Sequence, residues 1–150
     1  MSHDVDRPLR VIGIGSPFGD DTVGWQAVER LRKETDIFPH GTEWYTLDRP
    51  GSALIPLLEN SKAVVLIDAM QSGLPHGTVQ RLQLSELLMQ AQPPSSHSFG
   101  VAESLAMAEA LNGLPEKLLL YGVEMGATPE AWYPLLLQQL SNDLSEIQRE

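Results

Sequence analysis

Two stretches, LRVIGIG (Leu9–Gly15) and KAVVLIDAM (residues 62–70), are apolar without alternation. Short unbroken runs of this kind, bounded by turn residues and rich in β-branched side chains, read as strands buried on both faces. Such burial is found in parallel sheets whose two faces are covered by helices. The rest of the chain agrees. From Thr22 a helical pattern places Val23, Ala27, Val28 and Leu31 on one face and Glu29, Arg30, Arg32 and Lys33 elsewhere. TEWYTLD (residues 42–48) is a second strand, and PGSALIPLLEN a short helix opened by Pro50-Gly51, with a bend expected at Pro56. GTVQRLQL alternates and reads as a more exposed strand. After the polar loop QPPSSHS, FGVAESLAMAEALNG is an alanine-rich helix stopped at Asn112-Gly113. EKLLLYGVEM is a further buried strand and PEAWYPLLLQQLSNDLSEIQRE a terminal helix with Pro134 in its early part. Strands alternating with helices predict an α/β fold. The expectation is three layers, α/β/α, with a mostly parallel central sheet flanked by helices, in one domain over residues 1–150.

Charge narrows the partners. A formal net charge of -10 argues against nucleic acid or an anionic membrane and permits a cationic ligand, a metal included. Cysteine is absent, which excludes disulfides, thiolate metal sites and cysteine nucleophiles. No apolar run reaches membrane-spanning length and the start, MSHDVDRPLR, has no apolar signal core, so a cytoplasmic protein is expected.

In open parallel sheets, chemistry gathers beyond the carboxyl ends of the strands. Ser16, Asp20 and Asp21 follow the first strand, Asp48 the second and Asp68 the third, while the loop with His97 enters a helix. The glycine turn GIGSPFGDD is not a phosphate cradle. A dinucleotide fingerprint needs glycine where Phe18 stands, a P-loop needs a lysine, and a nucleophile elbow needs Gly-x-Ser-x-Gly. Asp20 and Asp21 would also cancel the positive helix end that phosphates use. One aspartate can cap the helix at roughly 1 kcal/mol; two adjacent ones leave a second to explain. Asp68 can bond turn amides, and His97 can be a solvated loop histidine. Brought to one rim, Asp21, Asp68 and His97 would instead form a three-ligand oxygen and nitrogen site with open positions, suited to nickel or zinc. His3, His40 and His76 carry no comparable context.

At these residues the chain resembles the hydrogenase maturation endopeptidases. The likeness runs through GIGSPFGDDTVG, LDRPGSALIPLL, VVLIDAM, SSHSFGVAESLAMAEAL and LLLYGVEM, five pieces in order over nearly the whole chain. The resemblance implies a cytoplasmic peptidase that removes the C-terminal extension of a nickel–iron hydrogenase large-subunit precursor. It implies metal ligation by Asp21, Asp68 and His97 and a functional role for Asp48, with Asp20 left to cap the helix. Many members have asparagine where Ser16 stands and a turn one residue longer. The shorter turn and DRPG resemble the branch serving soluble, NAD-linked hydrogenases.

The resemblance further implies that nickel arrives with the precursor, other divalent metals being able to substitute, so that cleavage follows metal insertion. Asp48 is then the candidate general base. Two other readings use overlapping residues. Ser16, Asp68 and His97 occur in the order of an α/β-hydrolase triad, against which Pro17 and the missing elbow count. A non-catalytic nickel-binding chaperone would use the same three ligands.

Overall fold

A computed structural model describes residues 7–15, 22–48, 53–89 and 99–148. The three most apolar segments become the inner strands: β1 (Leu9–Gly15), β3 (Ala63–Met70) and β5 (Lys117–Glu124). The outer strands are β2 (Glu43–Asp48) and β4 (Val79–Leu82), giving the order β2-β1-β3-β5-β4. All neighbours are parallel except β4, which runs antiparallel to β5 along one edge.

Alternation along the strands sorts their side chains into two cores. On one face Val11, Val65, Ile67, Leu119, Tyr121 and Val123 meet α1 (Val23–Leu31) and α5 (Pro129–Gln148), through Ala27, Leu31, Trp132, Leu136 and Leu140. On the other, Ile12, Ile14, Val64, Leu66 and Leu120 meet α2 (Leu54–Leu58), α3 (Leu84–Met89) and α4 (Phe99–Ala110), through Leu54, Leu58, Leu87, Val101 and Leu105. This is the expected three-layer α/β/α arrangement. The four residues read as the buried face of α1 are all buried.

Two details differ from the sequence reading. α2 is only five residues long and Pro56 is its third, where no intrahelical N–H bond is lost. The alternating stretch stops being a strand at Leu82, and α3 follows at once. Glu86 accepts the Gln83 backbone N–H at 2.9 Å, the reach-back bond of a capping box.

The amino end of the sheet is fastened by Arg10. Its guanidinium donates to Glu43 Oε1 at 2.9 Å, to the Leu57 and Glu59 carbonyls at 3.0 and 2.8 Å, and to Ser61 Oγ at 3.0 Å. One cation thereby satisfies the end of α2 and joins it to β1 and β2. On the α5 face, the buried Tyr121 hydroxyl donates to Asp143, which also pairs with Arg81 of β4 at 3.3 Å. Burial first, and the Asp143 carboxylate second, push the Tyr121 phenol far above its ordinary range.

Candidate active site

The strand order reverses beside β1. From β1 the chain moves through α1 to β2 on one side. It then returns through α2, on the opposite face, to β3 on the other side. The crevice at the carboxyl ends of β1 and β3 is therefore the topological switch point, where open α/β sheets bind ligands.

Asp68 stands at this point. It pairs in register with Gly122, one position beyond the pair Gly13–Ile67 that joins β1 to β3. Its place after Val64 and Leu66 turns it toward the α2 and α4 face. Oδ1 accepts the Ala69 backbone N–H at 2.8 Å, which fixes the orientation of the carboxylate. On the same face Gly122 has no side chain, and Met70 fills the space: a Cβ there would collide with the Met70 thioether.

Asp48 ends β2 level with Gly15. It lies two strands from Asp68, about 10 Å between strand axes. Alternation after Trp44, which packs on the α1 side, turns Asp48 toward that face rather than the one Asp68 occupies. Two carboxylates so placed do not share one metal, whose oxygen ligands must approach to about 2.1 Å. Asp48 thus lies across the end of β1 from Asp68.

α1 is held unusually close to β1 and β3. A Cβ on Gly13 would collide with the Gly24 carbonyl, and one on Gly24 would come within 2.7 Å of Ile67 O besides striking Ile14. The helix backbone thus rests directly on the two strands that define the crevice. Trp25, in the first turn of α1, donates its indole N–H to the Leu47 carbonyl at 2.8 Å, tying the start of the helix to the residue before Asp48.

Asp21 and His97, with Ser16 and Asp20, lie outside the described residues. Of the expected metal triad only Asp68 is described, and among the described residues no three histidines or carboxylates converge to hold a metal. The topology does show where the helices that follow Asp21 and His97 in the sequence begin. Asp21 immediately precedes Thr22, and α1 starts on the carboxyl rim because the chain enters it from β1. His97 precedes Phe99, the first residue of α4. That helix finishes near the amino rim, where Gly113 adjoins Glu59, so it starts at the carboxyl rim. One expectation is corrected here. The N-cap position of α1 belongs to Thr22, with no side-chain capping bond, and not to Asp20.

Sequence reading missed Trp25, Gly24 and Glu124. Gly24 carried a legible signal, since a glycine inside a helix costs about 1 kcal/mol relative to alanine and so needs a packing reason. Trp25 and Glu124 act through tertiary bonds that no spacing announces.

The family model for hydrogenase maturation proteases matches residues 28–147. The chain belongs to the hydrogenase maturation protease family. Among curated relatives it is 31% identical over 122 residues to the hydrogenase expression/formation protein HupD of Thiocapsa roseopersicina, covering 79% of this chain and 55% of that protein. It is 28% identical over 152 residues to HupD of Rhodobacter capsulatus, covering 96% of this chain and 72% of that one. The chain thus spans little more than half the length of the Thiocapsa relative. Among solved structures, the hydrogenase maturating endopeptidase HybD from E. coli superposes with a TM-score of 0.77 at 25% identity, over 93% of each chain. The maturation protease HycI of Thermococcus kodakarensis KOD1 shares the fold, with a TM-score of 0.57 at 18% identity over 93% of this chain and 89% of that one. The family match begins at Val28, after Asp21.

Proposed function

We propose that this member of the hydrogenase maturation protease family is a cytoplasmic endopeptidase. Its substrate is the precursor of a nickel–iron hydrogenase large subunit, from which it removes the C-terminal extension once nickel is in place. The observation that carries this reading is the position of Asp68. It is an oriented carboxylate at the carboxyl end of β3, beside the end of β1, on the rim where α1 and α4 begin, the helices that follow Asp21 and His97 in the sequence. Nickel is here part of the substrate. Asp21, Asp68 and His97 supply two carboxylates and an imidazole that complete its coordination and anchor the precursor. A site of this kind binds free metal weakly and metallated precursor well, so cleavage reports that insertion has occurred.

Asp48 is the base in this scheme. Its separation from Asp68 leaves room for a water between the anchored metal and the Asp48 carboxylate. Asp48 takes a proton as that water adds to the scissile carbonyl and passes it to the departing amine as the C–N bond breaks. Among the described residues no helix is long and apolar enough to cross a membrane. The reading is tested by mixing the protein with large-subunit precursors, with and without nickel, and measuring the product mass. Loss of the extension from the nickel-loaded form alone is expected.

A further inference from the structure

We infer that the loop at residues 71–78 is a preformed shoulder on which the precursor chain rests beside the metal site, with Leu74 as its apolar contact. The inference rests on the function proposed above. The loop begins three residues after Asp68. Because β5 lies between β3 and β4, it must cross the carboxyl end of β5, so it walls one side of the crevice.

Its backbone is fixed from below by Glu124, a buried carboxylate with 6% exposure. Oε1 accepts the Ser72 hydroxyl at 2.7 Å, and Oε2 accepts the backbone N–H groups of Ser72 at 3.0 Å and Gly73 at 3.3 Å. The Glu124 carbonyl accepts Gly77 N–H at 2.9 Å, and its own N–H donates to Thr78 O at 2.8 Å. Gly73 and Gly77 turn the chain with φ of 87° and 89°. The His76 ring lies against Gly126, where φ is 109° and a Cβ would collide with the imidazole.

With the backbone so held, residues 71–76 are all exposed, and Leu74 keeps 37% of its surface open to solvent. A chain with a net charge of -10 carries no acidic residue in this loop. It therefore offers a neutral, partly apolar ledge next to an acidic site. The partner it suits is an uncharged extended segment that reaches the site with the metal. A rigid ledge spares the ordering cost of binding. A second copy of the chain is a poor occupant, because one leucine and its neighbours fall far short of the roughly 800 Å² per partner that stable interfaces bury.

The test compares wild type with Leu74→Asp, using a nickel-loaded large-subunit precursor, and measures both binding and tail removal. Leu135→Asp, on an exposed site of α5, is the control. Leu74→Asp is expected to raise Kd and KM about tenfold or more, the scale of losing one buried leucine contact, with kcat unchanged. Leu135→Asp is expected to change nothing. Equal Kd and KM for wild type and Leu74→Asp would overturn the inference. So would wild-type self-association that Leu74→Asp abolishes, which assigns the ledge to a second copy. A precursor bound but not cut would refute the protease reading alone, and the Leu74 effect on Kd would still decide the shoulder. A precursor neither bound nor cut would overturn both.

Discussion

Asp68 combines two demands that a substitution can separate. Its Oδ1 holds the Ala69 N–H, a structural bond, while the same carboxylate is the proposed metal ligand. Asparagine keeps an acceptor oxygen for the amide but is a much poorer ligand. Asp68→Asn is therefore expected to leave the melting temperature close to wild type and to cut processing by at least about 100-fold, more than outer-shell changes usually cost. His97→Ala and Asp21→Asn should behave alike in the cleavage assay. The N-cap position is held by Thr22, so Asp21→Asn removes no N-cap. Full activity in any of the three variants would remove that residue from the ligand set.

At the scale of elements, the contact between α1 and β1 sets the crevice. Gly24→Ala gains about 1 kcal/mol of helix propensity. That gain is offset by a methyl group forced against Ile14 and Ile67 O, and overpacking of this sort costs about 1–3 kcal/mol. A lower melting temperature together with reduced cleavage is expected. A raised melting temperature would show that the close approach is not required. At the amino end, the Arg10 hydrogen bond, then that of Tyr45, holds the Glu43 carboxyl below its ordinary value. A depressed folded-state pKa adds stability above the unfolded value, near 4.3, and that stability is lost as pH falls through the lowered folded value. Glu43→Gln should thus narrow the stability difference between pH 7 and pH 3 seen in urea titrations. An unchanged difference would remove Glu43 from the acid response.

These elements also show what the sequence made legible. β1, β3 and β5 could be read because burial on both faces requires unbroken apolar runs, and the α1 face because its four residues keep helical spacing. α3 escaped because a six-residue helix directly after a strand leaves too few turns for its period to stand out. The cap of α1 was misplaced because sequence favours aspartate there, whereas the observed helix begins two residues later. In the site, strand ends pointed to Asp48 and Asp68, since topology alone sends them to one rim. That they face opposite sides of the sheet becomes evident only from the cores their neighbours enter. Glu124 was read as one more residue of a buried strand, and only the return of residues 71–78 over β5 gives its carboxylate partners.

For the whole molecule, the two cores grip one sheet from both sides and leave the carboxyl rim as the place where loops can carry chemistry. The net charge of -10 suits a partner that brings a cation, and the family relation makes that partner a hydrogenase precursor in the reading proposed here. The central claim is that the metal on the substrate licenses the cut. Its most direct measurement is the mass of a large-subunit precursor after incubation with the protein, in matched nickel-loaded and nickel-free forms. The account predicts loss of the C-terminal extension from the nickel-loaded precursor and an unchanged mass for the nickel-free one. Equal trimming of both forms would contradict it.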